Sequence, residues 1–342
     1  MVIKLTDSTL KTSLSKDGLK PLYVLVGNDA FLLSSCLQLI EKEVGGEVVT
    51  LSFKDAEAEI VEEHLSSFSF QPKVLVLDGF AASAWVEEKK KLYSEFLPQA
   101  PETLTVVVKL LSDDARFQVP KAAEAFAALV EDGVLVRCER KTGGDLQRYI
   151  VALAKRCGCT IDTDAVTELI RLAGEDLQQL YSHLQVLAAR VNYENITKQD
   201  VARMVPKSTE ENVFDFVRAM ERGRAKEAVA LLYAMLEQEQ EPARVLAAIS
   251  SSFVNLNRAK AAIRNKKRIS EVEEDFGYRK NDRALSVAFD KANRYSERQI
   301  RAILKCLLDV DLQLKTFGGD KQILLEQAMV RLTMLVSGRE VV

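Results

Sequence analysis

Histidine and paired cysteine are scarce in this chain of 342 residues, and neither scarcity leaves room for a recognisable catalytic or zinc motif. Only two histidines occur, His64 and His183, and neither lies near a cysteine or serine in a recognisable catalytic motif, so nothing points to a nucleophilic hydrolase. The five cysteines, Cys36, Cys138, Cys157, Cys159 and Cys306, are odd in number and scattered. One C-x-C has no second pair to complete a zinc site, so they read as buried or half-buried free thiols. No apolar run approaches the roughly 18 residues of a membrane span, and "MVIKLTDSTLKTSLSKDG" has no secretory h-region, so a cytoplasmic location is expected. A dominant charge sign is missing as well: the net charge of −3 announces no polyanion partner. What remains, 47% apolar and 28% charged residues over a length too great for one ordinary core, is a globular chain of two or three domains.

Up to about residue 140, strand-like and helix-like segments alternate. The apolar runs "LYVLV" (22–26), "VVTLSF" (48–53), "KVLVL" (73–77), "LTVVVKLL" (104–111) and "VLVRC" (134–138) are separated by helical patterns such as "AEAEIVEEHLSS" and "KAAEAFAALVE". Strands apolar throughout must be covered on both faces, which predicts a parallel sheet in an α/β domain of the P-loop type or a relative. Past Gly143-Gly144 the periodicity is helical only. Leu146, Tyr149, Ile150 and Leu153, then Val166, Leu169 and Ile170, then Leu177, Leu180, Tyr181, Leu184 and Leu187 predict a small three-helix bundle. A linker with Pro206 leads to a third, all-helical unit, opened by the capping-box spacing Ser208-x-x-Glu211. The expected division is 1–140, 141–207 and 208–342.

Between the first apolar strand and the helix after it stands "GNDAFLLS" (27–34), where a phosphate-binding loop would lie. Such a loop needs G-x-x-x-x-G-K-[ST], whose second glycine admits the phosphate to backbone N–H groups, whose lysine neutralises it and whose hydroxyl holds Mg²⁺. Here only Gly27 and Ser34 remain of that frame; Leu32 replaces the second glycine and Leu33 the lysine. The strand "KVLVLDGF" ends in Asp78, where an ATPase would carry its magnesium-holding aspartate, but Gly79 follows in place of a water-activating glutamate. The expectation is a strand-to-helix turn whose leucines pack inward, with no cofactor.

Four stretches in order, "LYVLVGNDAFLL", "GEDLQQLYSHLQVLA", "ENVFDFVRAMERGRAKEAVALLYAMLEQEQEP" and "DVDLQLKTFGGD", give the chain a resemblance, over nearly its whole length, to the delta subunit of bacterial DNA polymerase III. His183 departs from the glutamate that family often carries after its G-x-D-L signature, and Val186 from its common lysine. The resemblance implies an AAA+-like first domain with a degenerate nucleotide site, a lid, and a helical collar that joins five loader subunits in a ring. It implies a non-catalytic clamp-loader subunit that opens the sliding clamp on primed DNA, within a DNA-directed DNA polymerase complex. An active AAA+ ATPase and a scaffold without clamp function are the rival readings.

In that family a serine followed by Leu-Phe or Phe-Phe, placed where this chain has "SSFSFQPK" (66–73), inserts into the clamp. The candidate clamp-binding residues are therefore Leu65, Phe68 and Phe70, although here a residue separates the aromatics. Two phenylalanines in a helix-to-strand connection are unusual, since connections run over the surface; they are either caps on the core or exposed anchors for a partner's pocket. In a parallel sheet this connection lies at the edge opposite to "GNDAFLLS". Finally, residues 255–302 carry thirteen Lys or Arg against seven acidic residues. Arg258, Lys260, Arg264, Lys266, Lys267 and Arg268 are the densest part: a solvated helix end or a DNA-facing patch, with no aromatic residue interleaved for stacking.

Overall fold

The computed structural model describes residues 2–55, 58–66, 70–81, 83, 85–114, 117–239, 241–278, 282–316 and 321–338, without the side chains of 210, 238 and 239. The chain forms two compact units, Met1–Lys141 and Thr142–Val342.

The first unit runs β1 (Ile3–Thr6), α1 (Asp7–Asp17), β2 (Leu22–Gly27), α2 (Ala30–Val44), β3 (Glu47–Ser52), α3 (Ala58–Ser66), β4 (Lys73–Asp78), α4 (Glu87–Phe96), β5 (Leu104–Leu111), α5 (Lys121–Ala127) and β6 (Val134–Cys138). The strands form one sheet in the order β1-β6-β2-β5-β4-β3, and every pairing is parallel. Burial explains the apolar runs: all six residues of β2 are buried, as a central strand covered by helices requires. On one face a nest of rings fills the core, with Phe53 stacked on Tyr93 at 5.6 Å between centroids and Trp85 tilted against Phe126 at 4.9 Å. The strand β1 and the helix α1 go beyond the five strands read from the sequence. Four residues of "IKLT" are too few to set a period, and α1 buries only Leu10 and Leu14.

The second unit is helical. Its first part is α6 (Gly143–Arg156), α7 (Thr163–Ala173), α8 (Leu177–Arg190) and α9 (Lys198–Met204), with the two-residue strands β7 (Thr160–Ile161) and β8 (Asn195–Ile196) paired in parallel. Its second part is α10 (Thr209–Glu221), α11 (Ala225–Glu239), α12 (Pro242–Arg264), α13 (Ile269–Asp275), α14 (Arg283–Ala292), α15 (Glu297–Thr316) and α16 (Lys321–Val336). One core, with Phe216, Leu232, Ile249, Phe253, Ile303 and Leu332 wholly buried, runs through the second part.

The capping box expected at Ser208 is only half formed. Ser208 Oγ accepts from the Glu211 amide at 3.3 Å, but the Ser208 amide donates to Leu172 O at 2.6 Å, and the Glu211 carboxylate turns away. Its Oε1 receives Arg171 Nη1 of α7 at 2.5 Å, and its Oε2 receives Arg283 Nη2 of α14 at 2.7 Å. Two guanidinium groups outbid one backbone N–H for a carboxylate, because charge-assisted bonds are about twice as strong. Glu211 is thereby a buried clip between the two parts of the unit.

Candidate functional site

The loop "GNDAFLLS" lies where the strand order reverses, since β2 has β5 on one side and β6 on the other. That is the switch point at which open α/β sheets receive ligands. Here the chain's own groups occupy it. Asp29 caps α2, its Oδ1 accepting from the Leu32 amide at 3.0 Å, while Asp29 O accepts from the Leu33 amide at 3.1 Å. The amides of Leu32 and Leu33 at the start of α2 are thus engaged, and the Asp29 side chain is a carboxylate placed where an anion would bind. Leu32 and Leu33 are buried in the core behind the turn, and Ser34 is exposed. Asn28 spans the crevice: its Nδ2 donates to Asp114 O beyond β5 at 3.1 Å, and its Oδ1 accepts from the Arg140 amide beyond β6 at 2.9 Å. Gly27 has a packing reason of its own, for a Cβ there would stand 2.0 Å from Cys138 O on the neighbouring strand.

Beneath the loop, the Cys36 and Cys138 sulfurs are 3.7 Å apart and both thiols are buried. The Cys36 hydrogen bond, followed by burial, pushes the Cys138 thiol far above its usual range. At the end of β4, Asp78 makes an ion pair with Lys109 at 3.3 Å and accepts from the Gly79 amide at 2.9 Å. No group of three or more potential metal-ligating side chains gathers among the described residues.

At the opposite edge of the sheet lies the connection from α3 to β4. Phe70 is 91% exposed, the most exposed large apolar residue among those described. Leu65 must be corrected: it is wholly buried with Val61 in the core beneath the sheet and offers no surface to a partner, because it lies on the inward stripe of α3. Phe68 lies outside the described residues. The two edges of the sheet therefore carry Phe70 and the closed loop at opposite ends of the strands.

In the basic stretch the structure brings in partners that spacing does not reveal. Arg264 pairs with Glu297 at 3.0 Å, Lys267 with Asp275 at 2.5 Å and Arg268 with Glu271 at 3.6 Å. Lys260 and Lys266 form no ion pair among the described residues. Arg258 sits over the rings of Phe276 at 4.3 Å and Tyr278 at 5.3 Å, and Phe276 is 54% exposed. An aromatic surface therefore does accompany the cluster, supplied by the turn after α13. Eighteen residues of separation between Arg258 and Phe276 hid it; the only sequence signal was "DFGY" ending a short helix.

These features define a class: a P-loop-type α/β unit whose phosphate loop is filled by its own side chains, followed by helical bundles. Comparison with known proteins makes this particular. The family model of the DNA polymerase III delta subunit, C-terminal domain, matches residues 210–332. DNA polymerase III subunit delta of Bacillus subtilis is 26% identical over 94% of this chain and 95% of its own length. The Escherichia coli subunit of the same name is 25% identical over 93% and 92%. Among solved structures, the Bacillus subtilis DNA clamp loader delta protein (YqeN) superposes with a TM-score of 0.67 at 21% identity, covering 96% of this chain and 99% of that one. Residues 210–332 therefore match the C-terminal domain of the delta subunit of bacterial DNA polymerase III, and the chain is similar to delta subunits over nearly its whole length.

Proposed function

We propose that this protein is a non-catalytic clamp-loader subunit of the replicative DNA polymerase III, acting in the cytoplasm to bind and open the sliding clamp for loading onto primed DNA. The observation that carries the reading is Phe70: a ring 91% exposed on the short connection entering β4, in a chain similar to delta subunits over nearly its whole length. An aromatic side chain held in water has unfavourable contact to lose, and a partner's apolar pocket is where it gains most. Phe68, two residues earlier, is the second anchor.

The filled loop supports the non-catalytic part, because a phosphate would have to displace Asp29 and separate the two bonds of Asn28. For assembly with other loader subunits, support comes from the exposed apolar side chains Leu308 and Leu312 on α15 and Ile323, Val330 and Met334 on α16. Lys260, Lys266 and the Arg258–Phe276 stack are the groups best placed in the basic stretch to meet DNA, since the neighbouring cations are already paired.

The test is Phe68→Ala together with Phe70→Ala, with clamp affinity measured by calorimetry or surface plasmon resonance. Losing an anchor of this kind costs about 2 to 4 kcal/mol, so affinity should fall by roughly 30-fold or more. Normal clamp binding by a folded double variant would overturn the placement of the clamp site.

A further inference from the structure

The helical unit carries a charged surface on helices other than α15 and α16, whose exposed apolar side chains support assembly. The helices α10 and α11 form a hairpin. The chain reverses at Gly223, whose φ of +67° suits glycine, and the Arg224 amide donates to Ala219 O at 2.9 Å, which closes α10 with a Schellman turn. Between the two helices lies an open cleft of about 370 Å³. Asp215, Arg218 and Arg222 line it from α10; their spacing of three and four residues puts them on one stripe of the helix. Lys207, just before α10, borders the same side. From α11 come Glu227, the exposed Ala230 and the half-buried Leu231.

The charges in this cleft do not balance. Asp215 receives both Lys207 Nζ at 2.5 Å and Arg218 Nη2 at 3.3 Å, so two cations share one carboxylate. Glu227 is engaged by Arg224, three residues before it, at 3.1 Å. Arg222 is exposed and forms no ion pair among the described residues. The cleft thus offers surplus positive charge beside an apolar surface of Ala230 and Leu231. A nucleic-acid backbone fits this poorly, because Asp215 repels phosphate and so short a cleft tracks no strand of phosphates. A carboxylate on a protein side chain fits better. It can meet the planar guanidinium forks of Arg222 and Arg218 in bidentate fashion while keeping clear of Asp215, and an apolar neighbour can cover Ala230 and Leu231.

We infer that the cleft between α10 and α11 receives an acidic segment of another loader subunit, a carboxylate pairing with Arg222 and Arg218 and an adjacent apolar side chain lying on Ala230 and Leu231. Asp215 orients Lys207 and Arg218 and competes with the partner for them. The inference rests on the reading of this chain as a loader subunit, and its test separates the two.

The full chain is titrated with the other purified loader subunits of the same bacterium at two salt concentrations, and assembly is read by surface plasmon resonance. Arg222→Glu should weaken assembly about tenfold and flatten its salt dependence, as loss of an interfacial charge pair does. Its melting temperature should stay that of the parent, since Arg222 has no ion pair to lose. Ala230→Glu sets a carboxylate at the exposed side of the cleft and should weaken assembly in the same way. Asp215→Asn removes the competing carboxylate and should tighten assembly about threefold, an effect of opposite sign that damage to the fold would not produce; should this variant fail to fold, the other two decide. If the parent joins the other subunits and Arg222→Glu and Ala230→Glu join them as tightly, with the parent's salt slope, the inference is wrong and the loader reading stands. If these variants assemble normally but the assembled loader binds primer-template more weakly, the cleft meets phosphate and the acidic segment is excluded. If the parent itself does not join, the loader reading fails and the inference fails with it.

Discussion

Replacing Glu211 by alanine or glutamine should loosen the helical unit and leave the α/β unit untouched. The Glu211 side chain is 4% exposed and holds Arg171 at 2.5 Å and Arg283 at 2.7 Å, whose side chains are 39% and 43% exposed. Breaking a fully buried pair typically costs about 3 to 5 kcal/mol. Both guanidinium groups here reach water, and Arg171 keeps Glu168 through bonds of 3.0 and 2.6 Å, so the penalty for the stranded partners is smaller. Two charge-assisted bonds, discounted for solvent screening, leave about 2 to 3 kcal/mol. In a unit of this size that lowers the melting temperature by roughly 5 to 10 °C. The chain carries its own two reporters: Trp85 is the only tryptophan and lies in the α/β core, whereas far-ultraviolet dichroism is dominated by the helices of the second unit. The Glu211 variants should lower the dichroism midpoint and leave the Trp85 fluorescence midpoint in place. A Glu211→Gln chain within about 0.5 kcal/mol of the parent, the scatter of ordinary surface changes, would show that the clip contributes nothing and that Ser208 and the apolar core alone hold the two parts together.

Other expectations follow from the same geometry. Gly27→Ala should destabilise the α/β unit, read by Trp85 fluorescence, because its Cβ would meet Cys138 O at 2.0 Å; the parent chain should show no micromolar ATP binding by calorimetry, and a measured affinity lost on changing Asn28 or Ser34 would contradict the filled loop. Reversing Lys260 and Lys266 to glutamate should weaken primer-template binding by the assembled loader and flatten its salt dependence, whereas an unchanged salt slope would return them to plain surface. The Glu168 carboxyl is held below its ordinary range chiefly by its hydrogen bonds from Arg171. A depressed carboxylate adds stability at pH values above its unfolded pKa and loses it as pH falls through the folded one, so the dichroism midpoint should drop in acid below about pH 4.5. Glu168→Gln should reduce that drop.

The sheet was legible because its strands are buried on both faces and write their position as unbroken apolar runs; β2 is the clearest case, buried from Leu22 to Gly27. The bundle helices were legible for the corresponding reason at period 3.6, as in α8, where Leu177, Leu180, Leu184 and Leu187 are all buried. Local reading failed where a side chain had a better partner far away. Ser208 and Glu211 have capping-box spacing, yet Arg171 and Arg283, 40 and 72 residues distant, take the carboxylate. Leu65 was read as a clamp contact, but its place on the helix stripe with Val61 decides for the core. At the basic stretch, charge was legible and its neutralisation was not, since the pair of Arg264 with Glu297 spans two whole helices, α13 and α14.

The loop "GNDAFLLS" keeps the strand-to-helix turn of a phosphate loop while filling it with the chain's own groups. The N-terminus of α2 still needs acceptors for its first amides, whatever the protein does. In a nucleotide-binding loop the phosphate can supply them, and the empty loop must then wait for its ligand. Here Asp29 supplies one within the chain, and a cap of this type is worth about 1 kcal/mol whether or not nucleotide is present. Leu32 and Leu33 add burial on the inner side of the same turn, each giving about 1.5 to 3 kcal/mol that a glycine and a lysine would not. Asn28 then joins the exits of β5 and β6 across the crevice, and Gly27 stays because the sheet, not the phosphate, requires it. Each replacement favours a closed, permanently ordered loop. Asp29→Ala should therefore weaken the α/β unit by about the value of the cap without creating phosphate affinity, because the two leucines still fill the position that the missing glycine and lysine would need.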